Sequence, residues 1–153
     1  MIANSRSLTL LATLGSLALL SGAFIFQAFG FAPCELCLLQ RWPHAAAILI
    51  GTIALLTGRR ILAWAGALAA LTTAVLGLYH TGVERGFWIG PTACSSSPVE
   101  GLSADELMNQ ILNAPLVRCN EVTWSLFSLS MASWNAILSL ALVLIWVMAA
   151  RRD

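Results

Sequence analysis

The sequence predicts an all-α membrane protein: a four-transmembrane-helix bundle with two periplasmic loops and a short interfacial helix in the second loop. Composition is the first reason. Of 153 residues, 59% are hydrophobic and 10% charged, and mean hydropathy is +0.83. A soluble domain carries roughly 25% charged residues, so this chain cannot cover a water-facing surface. The second reason is charge placement, which leaves four long uncharged stretches. The third is that all four cysteines lie toward one side of those stretches. Eight arginines, no lysine and seven acids give a net charge of +1, which makes no basic face and excludes nucleic acid as a partner.

The uncharged stretches are Ser7–Cys34 (28 residues), Trp42–Gly58 (17), Ile61–Val83 (23) and Val122–Ala150 (29). A spanning helix needs about 20 apolar residues to cross a hydrocarbon core about 30 Å thick. Three stretches exceed that; the second is short and must borrow from its flanks or sit in a thinned bilayer. Within one membrane domain, 1–153, the expected spans are about 8–30, 42–58, 61–80 and 124–150. The loops are then 31–41 and 81–121. Long apolar runs exclude barrel strands, which alternate over about ten residues. The first run, Leu8–Phe31, is too long for a signal-peptide core of roughly 7–15 residues and is read as a retained helix. Pro33 before Cys34 argues against lipoprotein processing.

Arginines set the orientation. Both termini and the Thr57–Ile61 turn share one side, with five arginines (6, 59, 60, 151 and 152) against Asp153. The other side has three arginines against six acids. The positive-inside rule places the termini in the cytoplasm. The cysteines then face the oxidising periplasm, where disulfides persist. In the second loop, Ser103 and Glu106 form a capping box opening an interfacial helix over 102–112, with Leu102 stapled against Leu107 and Pro115 ending it.

Cys34 and Cys37 form a C-x-x-C; Cys94 and Cys119 have 24 residues between them. Zinc wants two close pairs and finds one, so no metal is expected. Leu38 stands where c-type haem attachment needs histidine. Structural staples and dithiol exchange remain. A C-x-x-C closes too small a loop to constrain the unfolded chain much, which favours exchange. Cys37 falls near the amino end of the second helix, where the dipole stabilises a thiolate. Arg41, four residues on, is either an interfacial anchor or a cation beside that thiol holding an anionic acceptor. Pro43 marks the first turn or kinks a helix starting near Leu38. His80 is either a helix-end histidine or a donor to a quinone carbonyl. Asn135 and Ser133, within the fourth span, suit interhelical hydrogen bonding, and Gly66 and Gly77 suit close packing.

The stretches CELCLLQRWPH (34–44), YHTGVE (79–84), GPTAC (90–94), RCNEVTW (118–124) and SMASWN (130–135) closely resemble the disulfide bond formation protein B family of bacterial inner-membrane thiol–quinone oxidoreductases. The resemblance covers essentially the whole chain. It implies catalytic Cys34, Cys37, Cys94 and Cys119, and acceptor-binding Arg41, His80 and Met131. A Cys94–Cys119 disulfide would oxidise a periplasmic DsbA-like thioredoxin-fold partner, with Cys94 attacked first. Electrons would pass, through a transient Cys34–Cys119 link, to the Cys34–Cys37 pair. Cys37 would then reduce ubiquinone or menaquinone. Two rivals stand beside this: a tetraspan scaffold with inert loop disulfides, and the vitamin K epoxide reductase-like family. The latter places its quinone-proximal C-x-x-C late in the chain, whereas here it follows the first span.

Overall fold

A computed structural model describes residues 4–91, 103–112 and 117–152. In chain order it contains α1 (Ser5–Ala28), α2 (Glu35–Thr57), α3 (Ile61–Glu84), α4 (Ala104–Leu112), β1 (Ser125–Leu126), β2 (Leu129–Ser130) and α5 (Met131–Arg151). Helices α1, α2, α3 and α5 are long and apolar enough to cross a membrane, which makes this a multi-pass membrane protein. They close a ring in which α1 packs on α2, α2 on α3, α3 on α5, and α5 back on α1. The outward faces carry bare leucines, such as Leu49, Leu56, Leu68 and Leu144. Water would penalise such a surface and hydrocarbon does not.

The ring closes tightly because its seams are small residues, which let backbones approach where no hydrophobic force separates helix from lipid. On α3, Ala63, Gly66, Ala67, Ala70, Ala74 and Gly77 are buried. A side chain at Gly66 would stand 2.8 Å from the Trp146 ring, and one at Gly77 would stand 3.1 Å from the Ala132 carbonyl. Both glycines are therefore packing positions. Trp146, Leu8, Ala12 and Leu142 fill the end of the bundle nearest the termini.

Two helix starts differ from the sequence expectation, and both differences shape the site. Helix α2 begins at Glu35, not near 42. It gains its missing length by coiling the C-x-x-C segment into its first turns, with Cys34 as N-cap and Pro43 in its interior. Its 23 residues rise about 1.5 Å each, enough to span the core. Counting uncharged residues misses this because Glu35 and Arg41 sit on the extra turns. Helix α5 begins at Met131, not near 124. Residues 125–130 form a tight hairpin, Ser125 opposite Ser130, whose turn puts Phe127 and Ser128 at positive φ (51° and 60°). That segment is uncharged, so counting charges alone runs it into the helix. Helix α3 continues to Glu84, beyond the expected 80, setting Glu84 one turn after His80.

In α4 the capping box forms: the Ser103 N–H donates to Glu106 Oε2 at 2.8 Å and the Glu106 N–H to Ser103 Oγ at 3.4 Å. Its helix starts at Ala104, and the expected Leu102 staple and Pro115 stop lie outside the described residues.

Candidate functional site

The site is built from α2 outward. Helical spacing puts Cys37, Gln40, Arg41 and His44 on one face of α2. Four polar or reactive groups along an apolar span are costly unless partnered, so their partners define the site.

Cys34 and Cys37 are free thiols with sulfurs 3.0 Å apart, Cys34 donating. Cys34 is 4% exposed and its sulfur, as N-cap, also accepts the Cys37 N–H at 3.3 Å. The hydrogen bond to Cys37, and then burial, push the Cys34 thiol well above the ordinary thiol range, against the opposing effect of His80. Cys34 thus keeps its proton and shares it with Cys37, which stands in the first turn of the helix where unpaired N–H groups favour negative charge. Cys119 is disulfide-bonded, fully buried, and packed in the same cluster as Cys34, with Leu36 and Val83. Cys94 lies outside the described residues.

A cavity of about 160 Å³ opens beside the dithiol, lined by Cys34, Cys37, Arg41, His80 and Met131 together with Gln40, His44 and Asn135. Leu19, Ala23, Phe26 and Leu138 give it apolar walls. Arg41 lines the cavity with Cys37. Its guanidinium turns to α1, donating to Gln27 Oε1 at 2.7 Å and the Ala23 carbonyl at 3.4 Å, and lies 4.7 Å from the centre of the Phe24 ring. Its Nε is a buried donor without a partner among the described residues. His80 is 3% exposed and engaged at both ring nitrogens: Nε2 is 3.5 Å from Cys34 Sγ, and Nδ1 is 3.1 Å from Gln40 Nε2. It thus stands between the Cys34 sulfur and the Gln40 amide, at the wall of the cavity. Glu84, bonded to the Ser130 hydroxyl, stands 3.8 Å from His80 Nε2. The two sulfurs and a ring nitrogen of His80 lie within 4.8 Å of one another, a set of three donor atoms that could hold a metal ion.

Gln40, His44, Glu84 and Asn135 complete the site and were not singled out for it from the sequence. Asn135 donates to Gln40 Oε1 at 2.7 Å and to Thr73 Oγ1 at 3.1 Å, and its Oδ1 pairs with His44 Nε2 at 2.9 Å. The interhelical bonding expected of Asn135 is present, but in the first turns of α5 beside the dithiol and not deep in the span. A signal for Gln40 and His44 existed: they follow Cys37 by three and seven residues, on its own helical face.

The fold and site define a class: a multi-pass membrane protein with a reduced C-x-x-C at the mouth of an apolar cavity and a bonded third cysteine packed against it. The family model "Disulfide bond formation protein DsbB" matches residues 5–149. A disulfide bond formation protein B of Stutzerimonas stutzeri is 27% identical over 99% of both chains. One from Haemophilus influenzae is 33% identical over 88% of this chain and 80% of its own. An uncharacterized protein of Rickettsia prowazekii is 29% identical over 84% and 78%. No solved structure matches. The chain belongs to the disulfide bond formation protein B family, and is a disulfide-forming oxidoreductase.

Proposed function

We propose that this protein is a protein-dithiol:quinone oxidoreductase of the bacterial inner membrane that reoxidises a periplasmic DsbA-like thioredoxin-fold protein. One observation carries the reading: a free dithiol, Cys34 and Cys37, that lines an apolar cavity and packs in the same cluster as the bonded Cys119. Such a pair is within reach both of a protein disulfide and of an acceptor held in the membrane.

The sidedness follows from the arginines, with both termini cytoplasmic and the cysteine loops periplasmic. Disulfide exchange proceeds by thiolate attack through mixed disulfides. A thiolate of the reduced partner attacks Cys94 of a Cys94–Cys119 disulfide and frees Cys119, which attacks Cys34 of an oxidised Cys34–Cys37 pair and releases Cys37. The partner's second thiol then frees Cys94 and leaves the partner oxidised; Cys94 attacks Cys119, re-forming their disulfide, and the Cys34–Cys37 dithiol results. His80, with its N–H on the Cys34 sulfur, stabilises Cys34 as leaving group and thiolate. The cavity fits ubiquinone or menaquinone on two grounds: its apolar walls take a flat ring, and the unpartnered Arg41 Nε–H is a donor awaiting a carbonyl. When bound, the quinone takes up two electrons and two protons, becoming hydroquinone as the dithiol becomes a disulfide. Arg41 and Met131 would hold the quinone, and Cys37, which lines the same cavity, would be the thiol that faces it.

The test is quinone reduction by the purified protein, given ubiquinone or menaquinone and a reduced DsbA-like partner. Quinone reduction in step with partner oxidation, lost in Cys37→Ser and weakened in apparent quinone affinity in Arg41→Ala, establishes the reading. A folded protein that passes no electrons to either quinone refutes it and brings the scaffold reading forward.

A further inference from the structure

The three-helix junction at Gln40 and Asn135 has a fixed polarity, set by a single backbone carbonyl. Gln40 Nε2 lies 2.9 Å from the Leu36 carbonyl, which only accepts, so this end of the Gln40 amide is its NH2. The same NH2 faces His80 Nδ1, which must then accept, leaving the proton of the neutral ring on Nε2 toward Cys34. The Gln40 Oε1 accepts from the Asn135 NH2, so the Asn135 oxygen faces His44. Thr73 agrees: its hydroxyl donates to the Gln40 carbonyl at 3.2 Å and therefore accepts from Asn135. His44 Nε2 must then carry the proton of that ring. His44 Nδ1 is left as a bare acceptor, buried and without a partner among the described residues, on a residue that is 3% exposed and lines the cavity.

An orphaned acceptor of this kind costs free energy until a donor meets it. A quinone has carbonyls and no donor, and satisfies only the Arg41 Nε–H. A hydroquinone has hydroxyls. We propose that His44 is a binding residue for the reduced acceptor, its Nδ1 accepting a hydrogen bond from a hydroquinone hydroxyl, with Asn135 and Gln40 as positioning residues that hold it in that tautomer. The inference rests on the quinone reading of the cavity and adds a preference to it. The site binds hydroquinone more tightly than quinone, and this raises the reduction potential of the bound couple and draws electrons from the dithiol.

Two substitutions separate the two nitrogens of His44. Gln places its amide near the position of Nε2 and keeps a donor for Asn135 while removing the Nδ1 acceptor. Asn places its amide near Nδ1 and restores an acceptor there. Decylubiquinone and decylubiquinol are each titrated into the full-length protein in detergent, in a Cys37→Ser background where no electrons move, with His44→Gln and His44→Asn alongside. His44→Gln is expected to weaken decylubiquinol about tenfold relative to decylubiquinone, the effect of leaving one buried donor unmet. That ratio corresponds to a potential lowered by about 30 mV for a two-electron couple. His44→Asn is expected to keep more of the preference than His44→Gln. If both forms bind and their affinity ratio is the same with His44 and with Gln, the inference falls and the quinone reading stands. If neither form binds the protein carrying His44, both fall together.

Discussion

The two ends of the bundle are built by opposite rules. The end nearest the termini is dry: Trp146, fully buried, fills the groove left by Gly66, with Leu8, Ala12, Ala67 and Ala149 around it. Its hydroxyls bond to backbone carbonyls, as Ser5 does to Ala149, while Trp146 Nε1 and, further along α1, Ser16 Oγ find no partner among the described residues. The cysteine end is a directed network in which Leu36, Gln40, Thr73, His80, His44 and Asn135 are joined across three helices and run out at Cys34. One end holds the helices together by shape; the other holds reactive groups at set positions. Stability and chemistry are thus carried by different residues, and substitutions should separate them.

The largest separation is expected from Cys37→Ser at the cysteine end, which removes the nucleophile. Electron transfer should fall below detection while the melting temperature stays close to that of the parent; a large loss of stability would show that the dithiol also serves the fold. At the other end, Trp146→Ala should cost about 3–5 kcal/mol of stability, as expected for removing a buried tryptophan. Refolding in detergent measures it, and disulfide exchange in the remaining folded fraction should be unchanged. Asn135→Leu tests whether the network is also structural. Three partners lose their hydrogen bonds, at about 1–3 kcal/mol for buried groups left unmet, well above the ~0.6 kcal/mol typical of a single bond between membrane helices. A cost near the lower figure would mean the network repacks.

The smallest effects belong to α4, outside both ends. Ser103→Ala should destabilise that helix by about 1 kcal/mol, read as faster amide exchange over 104–112 only. Glu106 adds a pH dependence. Its hydrogen bonds to Ser103 hold its carboxyl below the usual carboxylate range. A depressed acid stabilises while ionised, so α4 should be protected above the ordinary carboxylate pKa and lose protection as pH falls through the lowered value. Exchange in α4 that does not vary with acid pH would remove the capping box as its cause.

Much of this was legible before any coordinates. Four spans, the packing role of Gly66 and Gly77, the Ser103–Glu106 cap and the C-x-x-C chemistry all depend on composition or on residues a turn or two apart. The misread helix starts have local causes too, but opposing ones: charged Glu35 and Arg41 lie inside α2, and an uncharged hairpin at 125–130 lies outside α5. Hydropathy measures what a segment can bury, and not whether its backbone coils.

The sequence by itself determined that this chain spans a membrane four times and carries a redox-capable cysteine pair beside the first span, because those properties follow from local composition and spacing. Only the tertiary structure decided what the pair faces. Asn135 meets Gln40 across 95 positions and His44 across 91, and Trp146 finds Gly66 on another helix. Such pairings follow from how four apolar helices choose their faces, and nothing local in the chain states that choice. The directions of the hydrogen bonds, and with them the tautomers of His44 and His80, exist only once those faces have met.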